Sequence, residues 1–328
     1  MVRSTWLAFT LLVYGVVAAS AQVPYGWESE WPNTDFGRSS VNFADIFSGG
    51  PPKDGIPAID DPAFKPARKA AEGLSSIEPV LSVSLDGDAR AYPLSILIWH
   101  EIVNDRVGEV PVAITFCPLC NSGVVFERTI DGRVTTFGTT GKLRNSDLVM
   151  YDRETESWWQ QFEGRAIVGS RLGTALTRIP ARLESVANFV ERHPGGKILV
   201  PPQGARRDYG TNPYQGYDSL DRPFLYNGTY DGPGRALMRV VAVAGKAWSL
   251  DYIRSKGSFE EDGLRFTWAS GQSSALDSAR ISEGRDVGTV IVQRHGADGK
   301  ITDMVHDIPF AFAFRAFHPD GTIRHLSR

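Results

Sequence analysis

Apolar and polar positions alternate over short stretches for most of this chain, and the runs are broken every few residues by turn-forming pairs. That pattern predicts strands of four to eight residues rather than long helices. Pro79 to Leu85 and Asp88 to Ala91 read as a hairpin around Asp86-Gly87. Val110 to Phe116 is an apolar, β-branched run, and Val124 to Arg128 is a second one close behind it. Further strands are expected at Arg133 to Thr139, Asp147 to Arg153, Ser157 to Phe162 and Arg165 to Ser170, with Asp131-Gly132 the clearest hairpin turn among them. Leu237 to Val243, Lys246 to Tyr252, Leu264 to Ala269, Val287 to Arg294 and Phe310 to Phe317 form a second β-rich block. The predicted class is mainly β (α+β), an antiparallel body with a few short helices and long irregular loops.

Two segments read as helices. Ser185 to His193 is stopped by Pro194-Gly195-Gly196. Leu94 to Asn104, with Pro93 at its first turn, is apolar on nearly every side and so predicts a buried helix. On a wheel of roughly 100° per residue, His100, Glu101 and Asn104 share one sector about 100° wide, which aims polar groups at partners.

The organisation follows from these runs. Residues 1–21 carry Arg3, an apolar core from Trp6 to Val17 and Ala19-Ser20-Ala21, the marks of a secretory signal peptide cut after Ala21. Residues 22–78 are rich in Pro, Gly, Asp and Asn with scattered aromatics, and are expected to wrap over the body. Residues 79–200 form a first β-rich unit, 201–236 a linker or covering loop, and 237–328 a second unit. Val83-Ser84-Leu85 with Arg90-Ala91-Tyr92-Pro93-Leu94 is echoed by Val241-Ala242-Val243 with Lys246-Ala247-Trp248-Ser249-Leu250, which suggests two related units.

Composition narrows the function classes. The chain has 328 residues, 42% hydrophobic and 22% charged, and its net charge of −3 gives no electrostatic reason to expect nucleic acid. No segment after the leader is long and apolar enough to span a bilayer, so the expected location is the periplasm or the medium.

Export changes how the two cysteines read. Cys117-Pro118-Leu119-Cys120 lies at a strand-to-strand turn and holds the only cysteines of the chain. A disulfide here would close a four-residue loop and contribute only on the order of 2 kcal/mol. A thioredoxin-type dithiol needs a helix after the second cysteine. Asn121-Ser122-Gly123-Val124-Val125-Phe126 is instead turn and strand. A zinc ribbon needs a second cysteine pair. A mixed metal site is therefore the leading reading, with Cys117 and Cys120 as thiolates, His100 as imidazole and Met150 as a weak axial thioether. That soft set favours copper, with zinc next, in metal handling or electron transfer. A periplasmic redox or metal-delivery protein is the matching class of partner. The rival readings are a dithiol oxidoreductase, a nucleophilic cysteine with His100 as its base, and a binding or scaffold module with a structural disulfide. Gly138-Thr139-Thr140-Gly141-Lys142-Leu143 imitates part of a phosphate loop, but its spacing is short and it reads as a hairpin loop.

Several stretches together resemble the bacterial domain-of-unknown-function 3179 family. They are Phe47 to Pro57, Arg90 to Asp105 (through Trp99-His100-Glu101), Phe116 to Asn121, Leu143 to Asp152 and Glu156 to Gln161. The resemblance supplies no activity. It implies that His100, Cys117, Cys120 and Met150 all lie inside family motifs.

Overall fold

The structure, a computed structural model, describes residues 22–296 and 298–326, so the proposed signal peptide lies outside the described residues. Strand outweighs helix, 38% against 15%, and the sheets are arranged as a five-bladed propeller. The mainly β expectation therefore holds. Five sheets of three to five strands make the blades, and a two-stranded ribbon, Thr129–Ile130 with Arg133–Val134, stands beside them. Among the described residues strands pair antiparallel except Lys197–Leu199 on Asp88–Pro93 and Thr322–Arg324 on Lys246–Ser249, and the single bridge of Ile59 to Val103 is also parallel.

Short turn pairs set the hairpins, as their chemistry requires. Asp86-Gly87, Asp131-Gly132 and Asp262-Gly263 all have positive φ at both positions, the backbone of a two-residue hairpin whose twist matches its strands. The last of these joins Ser258–Glu261 to Leu264–Ala269, and its first strand is absent from the sequence prediction.

Three expectations need correction. The predicted Leu94 to Asn104 helix ends at His100, because Glu101 takes a left-handed backbone (φ 57°). The remainder becomes the strand Ile102–Val107, which pairs along Val110–Thr115. Its β-branched residues gain a ladder there that a continued helix would forfeit. Phe310 to Phe317 is not a strand but the helix Ala311–Phe317, and Leu250–Lys256 is likewise helical, capped by the Ser249 hydroxyl on the Tyr252 N–H. In the first of these the burial of Ala311 to Phe314 hides the period that would have separated helix from strand, whereas Leu250–Lys256 buries Ile253 alone and simply follows on from the strand Lys246–Ser249.

Gly138 to Leu143 is not a hairpin loop either. It lies inside the strand Phe137–Arg144, with a register shift between Thr139 and Lys142. Its glycines let the Pro51–Asp54 crossing approach: a Cβ on Gly141 (φ +69°) would stand 1.9 Å from the Pro51 carbonyl oxygen. Lys142 points not at a phosphate but into a cage of Trp27, Trp31 and Trp158, 5.5–5.6 Å from each ring, with Glu30 as its counter-ion at 2.8 Å.

The segment from residue 22 onward is more than a cover. It supplies Ile46–Ser48 to one sheet and Phe64–Pro66 to another. Its Trp31, Phe36 and Phe43 bury against Val149, Tyr151, Trp158 and Val168 as a core of their own.

The internal echo extends much further in three dimensions. In the first unit Leu81 pairs with Tyr92 and Ser82 with Ala91, while Lys197 and Ile198 run parallel to Arg90 and Ala91. In the second, Val241 pairs with Trp248 and Ala242 with Ala247, while Thr322 and Ile323 run parallel to Lys246 and Ala247. Pro79 meets Ser185 and Ser82 meets Arg182, matching the bridges of Arg239 to Phe310 and Ala242 to Asp307. Both parallel strands follow a helix that ends in His-Pro-x-Gly, His193 and His318 having nearly the same backbone angles. Register shows that Leu81, not Val83, is the counterpart of Val241. The sequence echo placed the first strand two residues out.

Gly141→Ala should cost roughly 2–5 kcal/mol, from left-handed strain plus the clash with Pro51. Urea denaturation of wild type and variant measures the shift.

Candidate functional site

The sheet Arg178–Ile179, Ser122–Glu127, Val110–Cys117, Ile102–Val107 carries the cysteines at one end. Cys117 ends one strand, directly opposite Ser122 at the start of the next. Between them the Asn121 N–H donates to the Pro118 carbonyl at 3.1 Å, and Asn121 adopts φ 52°, which asparagine tolerates better than most residues. The turn buries both sulfurs, and both are free thiols.

A second turn closes over them. Asn145 and Ser146 both have positive φ and join Phe137–Arg144 to Asp147–Asp152 as a two-residue hairpin. This presents the Ser146 carbonyl to both thiols, 3.6 Å from Cys117 Sγ and 3.3 Å from Cys120 Sγ. It also delivers Asp147. One ligand atom each of Cys117, Cys120 and Asp147 lies within 4.8 Å of the others, and all three residues are buried. Asp147 Oδ2 accepts from Gln160 Nε2 at 2.6 Å and from the Phe162 N–H at 2.9 Å, whereas Oδ1 is buried without a hydrogen bond.

The rest of the chain seals this place. The buried Asp307 carboxylate accepts from Ser122 Oγ at 2.6 Å and from the Gly123 N–H at 3.0 Å. Asn121 Nδ2 donates to the Ile308 carbonyl at 2.6 Å, and the Phe310 N–H to the Cys120 carbonyl at 2.8 Å. From the 201–236 segment, Tyr217 Oη donates to the Leu119 carbonyl at 2.9 Å, and the Phe224 carbonyl accepts from Ser146 Oγ at 2.6 Å.

Burial sets the protonation. It pushes the Asp147 carboxyl up to about 7 against the hydrogen bonds from Gln160 and Phe162, and the Glu101 carboxyl up to about 8, with the Asp147 charge adding to the latter. Both thiols are raised by burial, that of Cys120 the more strongly. The pocket thus holds acidic groups that resist ionising without a cation beside them.

A family model described as a protein of unknown function, DUF3179, matches residues 53–321. The chain belongs to that family. No curated protein and no solved structure matches it.

Within this DUF3179 fold the four residues singled out from sequence part company. Cys117 and Cys120 come together. His100 is used elsewhere: the Pro57 carbonyl accepts from Nδ1 at 2.7 Å, so Nε2 accepts from Tyr209 Oη at 2.7 Å, and burial lowers its pKa. Both ring nitrogens are thereby engaged. Met150 is fully buried on Asp147–Asp152, opposite Thr139 and Trp159. It packs in the same core as both cysteines, on the opposite face of its strand from Asp147 three positions earlier. Asp147 itself has no part in the sequence reading. The available signal was Asn145-Ser146 between two apolar runs, a turn that places whatever follows it at the sheet end.

Glu101 holds its proton more tightly folded than unfolded, so stability falls as pH rises from about 4.5 towards 8 and levels beyond. The slope is on the order of 1 kcal/mol per pH unit in chelator-treated protein. Glu101→Gln should reduce the slope between pH 5 and 7, where Asp147 contributes with the same sign, and remove most of it between 7 and 8, as read from denaturation midpoints at pH 5, 6.5, 7 and 8.

Proposed function

We propose that the protein binds a thiophilic metal ion at Cys117, Cys120 and Asp147, in the service of metal handling outside the cytoplasm. The observation that carries this reading is the convergence of two free thiols and a fully buried carboxylate with one unpartnered oxygen. Leaving such an oxygen without a partner costs on the order of 1–3 kcal/mol, which a bound cation offsets. Binding would deprotonate the thiols that burial otherwise keeps neutral.

The sequence favours copper through a nitrogen and a thioether donor. With His100 held by Pro57 and Tyr209, and a carboxylate beside the sulfurs, the donor set is two sulfurs and an oxygen. Zinc accepts that set at four-coordinate sites, and copper(I) shares its taste for thiolate. Zinc is therefore the first ion to test. Thiol exchange is the weaker chemistry, because a reactive cysteine needs a lowered pKa and access, and both thiols here are buried and raised.

Among the described residues no helix is long and apolar enough to cross a membrane. We read the leader at residues 1–21 as directing export to the periplasm or the medium, where a metal-delivery protein is the matching partner.

Protein purified from an exporting host should carry close to one zinc or copper per chain, lost in Cys117→Ser/Cys120→Ser. Asp147→Asn should weaken affinity by at least the roughly 10–100-fold that loss of a mere outer-shell partner costs. Elemental analysis and a chelator competition measure both. Equal metal content in wild type and the double cysteine variant would sink the reading.

A further inference from the structure

The two units described above are alike enough to be compared residue by residue, and the comparison singles out one position beside the cysteines. Helix Leu94–His100 in the first unit corresponds to Leu250–Lys256 in the second, each following the second strand of its hairpin. Each helix is closed by a residue of positive φ whose N–H donates to the carbonyl four back, Glu101 to Leu97 and Gly257 to Ile253. The carbonyls of the two closing residues accept equivalent bonds, from the Phe116 and Trp268 N–H groups, each at 2.8 Å. Cys117 then corresponds to Ala269, the next residue along each strand.

Glycine is the ordinary occupant of such a helix end, because it lacks the Cβ that strains the left-handed backbone. The second unit has glycine there and no thiol next to it. The first unit has glutamate (φ 57°) and a thiol. The Glu101 carboxylate is buried, 6% exposed, and takes no hydrogen bond from any described residue. Asp147, whose Oδ1 is also unpartnered, and Cys117 are the groups whose charge it feels. The residue held in the strained conformation is thus also an acid whose backbone is hydrogen-bonded to Phe116, the neighbour of Cys117.

Resting on the metal reading above, we propose that Glu101 is the fourth donor of the site, giving a closed set of two thiolates and two carboxylates. Its carboxylate stands outside the group of three that converge within 4.8 Å. No hydrogen bond from a described residue holds it there, and a side-chain rotation would bring it in when the ion arrives. A two-sulfur, two-oxygen set fills the tetrahedral positions zinc prefers, so the inferred site holds its ion rather than opening it to substrate. The class of role is storage or delivery, not metal-assisted hydrolysis.

The test titrates zinc against a competing chromophoric chelator in full-length exported protein. Wild type, Glu101→Gln, Glu101→Gly and Cys117→Ser/Cys120→Ser are compared, with melting temperatures in chelator alongside. Wild type should bind one zinc. Both Glu101 variants should bind it at least roughly 10-fold more weakly. Glu101→Gly, which installs the residue of the second unit, should also melt higher than wild type in chelator, because the strain is gone; this keeps loss of affinity distinct from loss of fold. Wild-type affinity in both Glu101 variants, with binding still abolished in the double cysteine variant, would overturn the assignment of Glu101 and leave the metal reading standing. No zinc bound by wild type would overturn both.

Discussion

Asp307 is the contact on which the cysteine site depends. Its carboxylate reaches from near the end of the chain to the hydroxyl of Ser122 and the N–H of Gly123, and takes the Ile308 N–H as well. Ser122 and Gly123 belong to the turn that holds Cys117 and Cys120, Ser122 fully buried and Gly123 partly so. An unpaired donor at that depth costs on the order of 1–3 kcal/mol, so Asp307 is as much a part of the turn as the residues between the cysteines. Arg178 supplies positive charge to the same carboxylate. The first and second units are joined at this point, and the sulfurs are closed from water by the junction.

A buried place built this way is costly unless its charges are answered. Asp307 is answered by hydrogen bonds and by Arg178, and Asp218 in the covering segment by Arg239 and Arg285, both at 2.7 Å. Asp147 feels the charge of Arg178 as well but forms no ion pair, and no lysine or arginine pairs with Glu101 among the described residues. Their carboxyls stay protonated into the neutral range, as do the thiols. The contrast is internal to one molecule. A cation from outside is the physical complement of that arrangement.

The repeated architecture explains how such a site can sit on an otherwise ordinary scaffold. A hairpin, a short helix, a returning helix and a parallel strand occur twice with matching register. The second copy keeps glycine and alanine where the first has Glu101 and Cys117. At this helix end a non-glycine residue of positive φ beside a thiol therefore occurs in the first copy alone.

By itself the sequence determined the β class, most hairpins and the place of the cysteine turn, because these rest on local chemistry. Asp-Gly pairs fix turns, alternation fixes strands, and Cys-Pro-Leu-Cys followed by a strand rules out a helix-opening dithiol. It misread the helix past His100 and the helix at Ala311–Phe317, where burial on all sides erases the period that separates the two structures. It also nominated His100 on a helical wheel that the left-handed Glu101 cuts short. What stands near the sulfurs is a matter of which loops meet. Asp147 arrives on a different hairpin, Asp307 from the far unit and Tyr217 from the covering segment, and no spacing along the chain encodes those meetings. Only the tertiary structure decided them, since they follow from where whole sheets dock and from the need to satisfy each buried polar group at the junction.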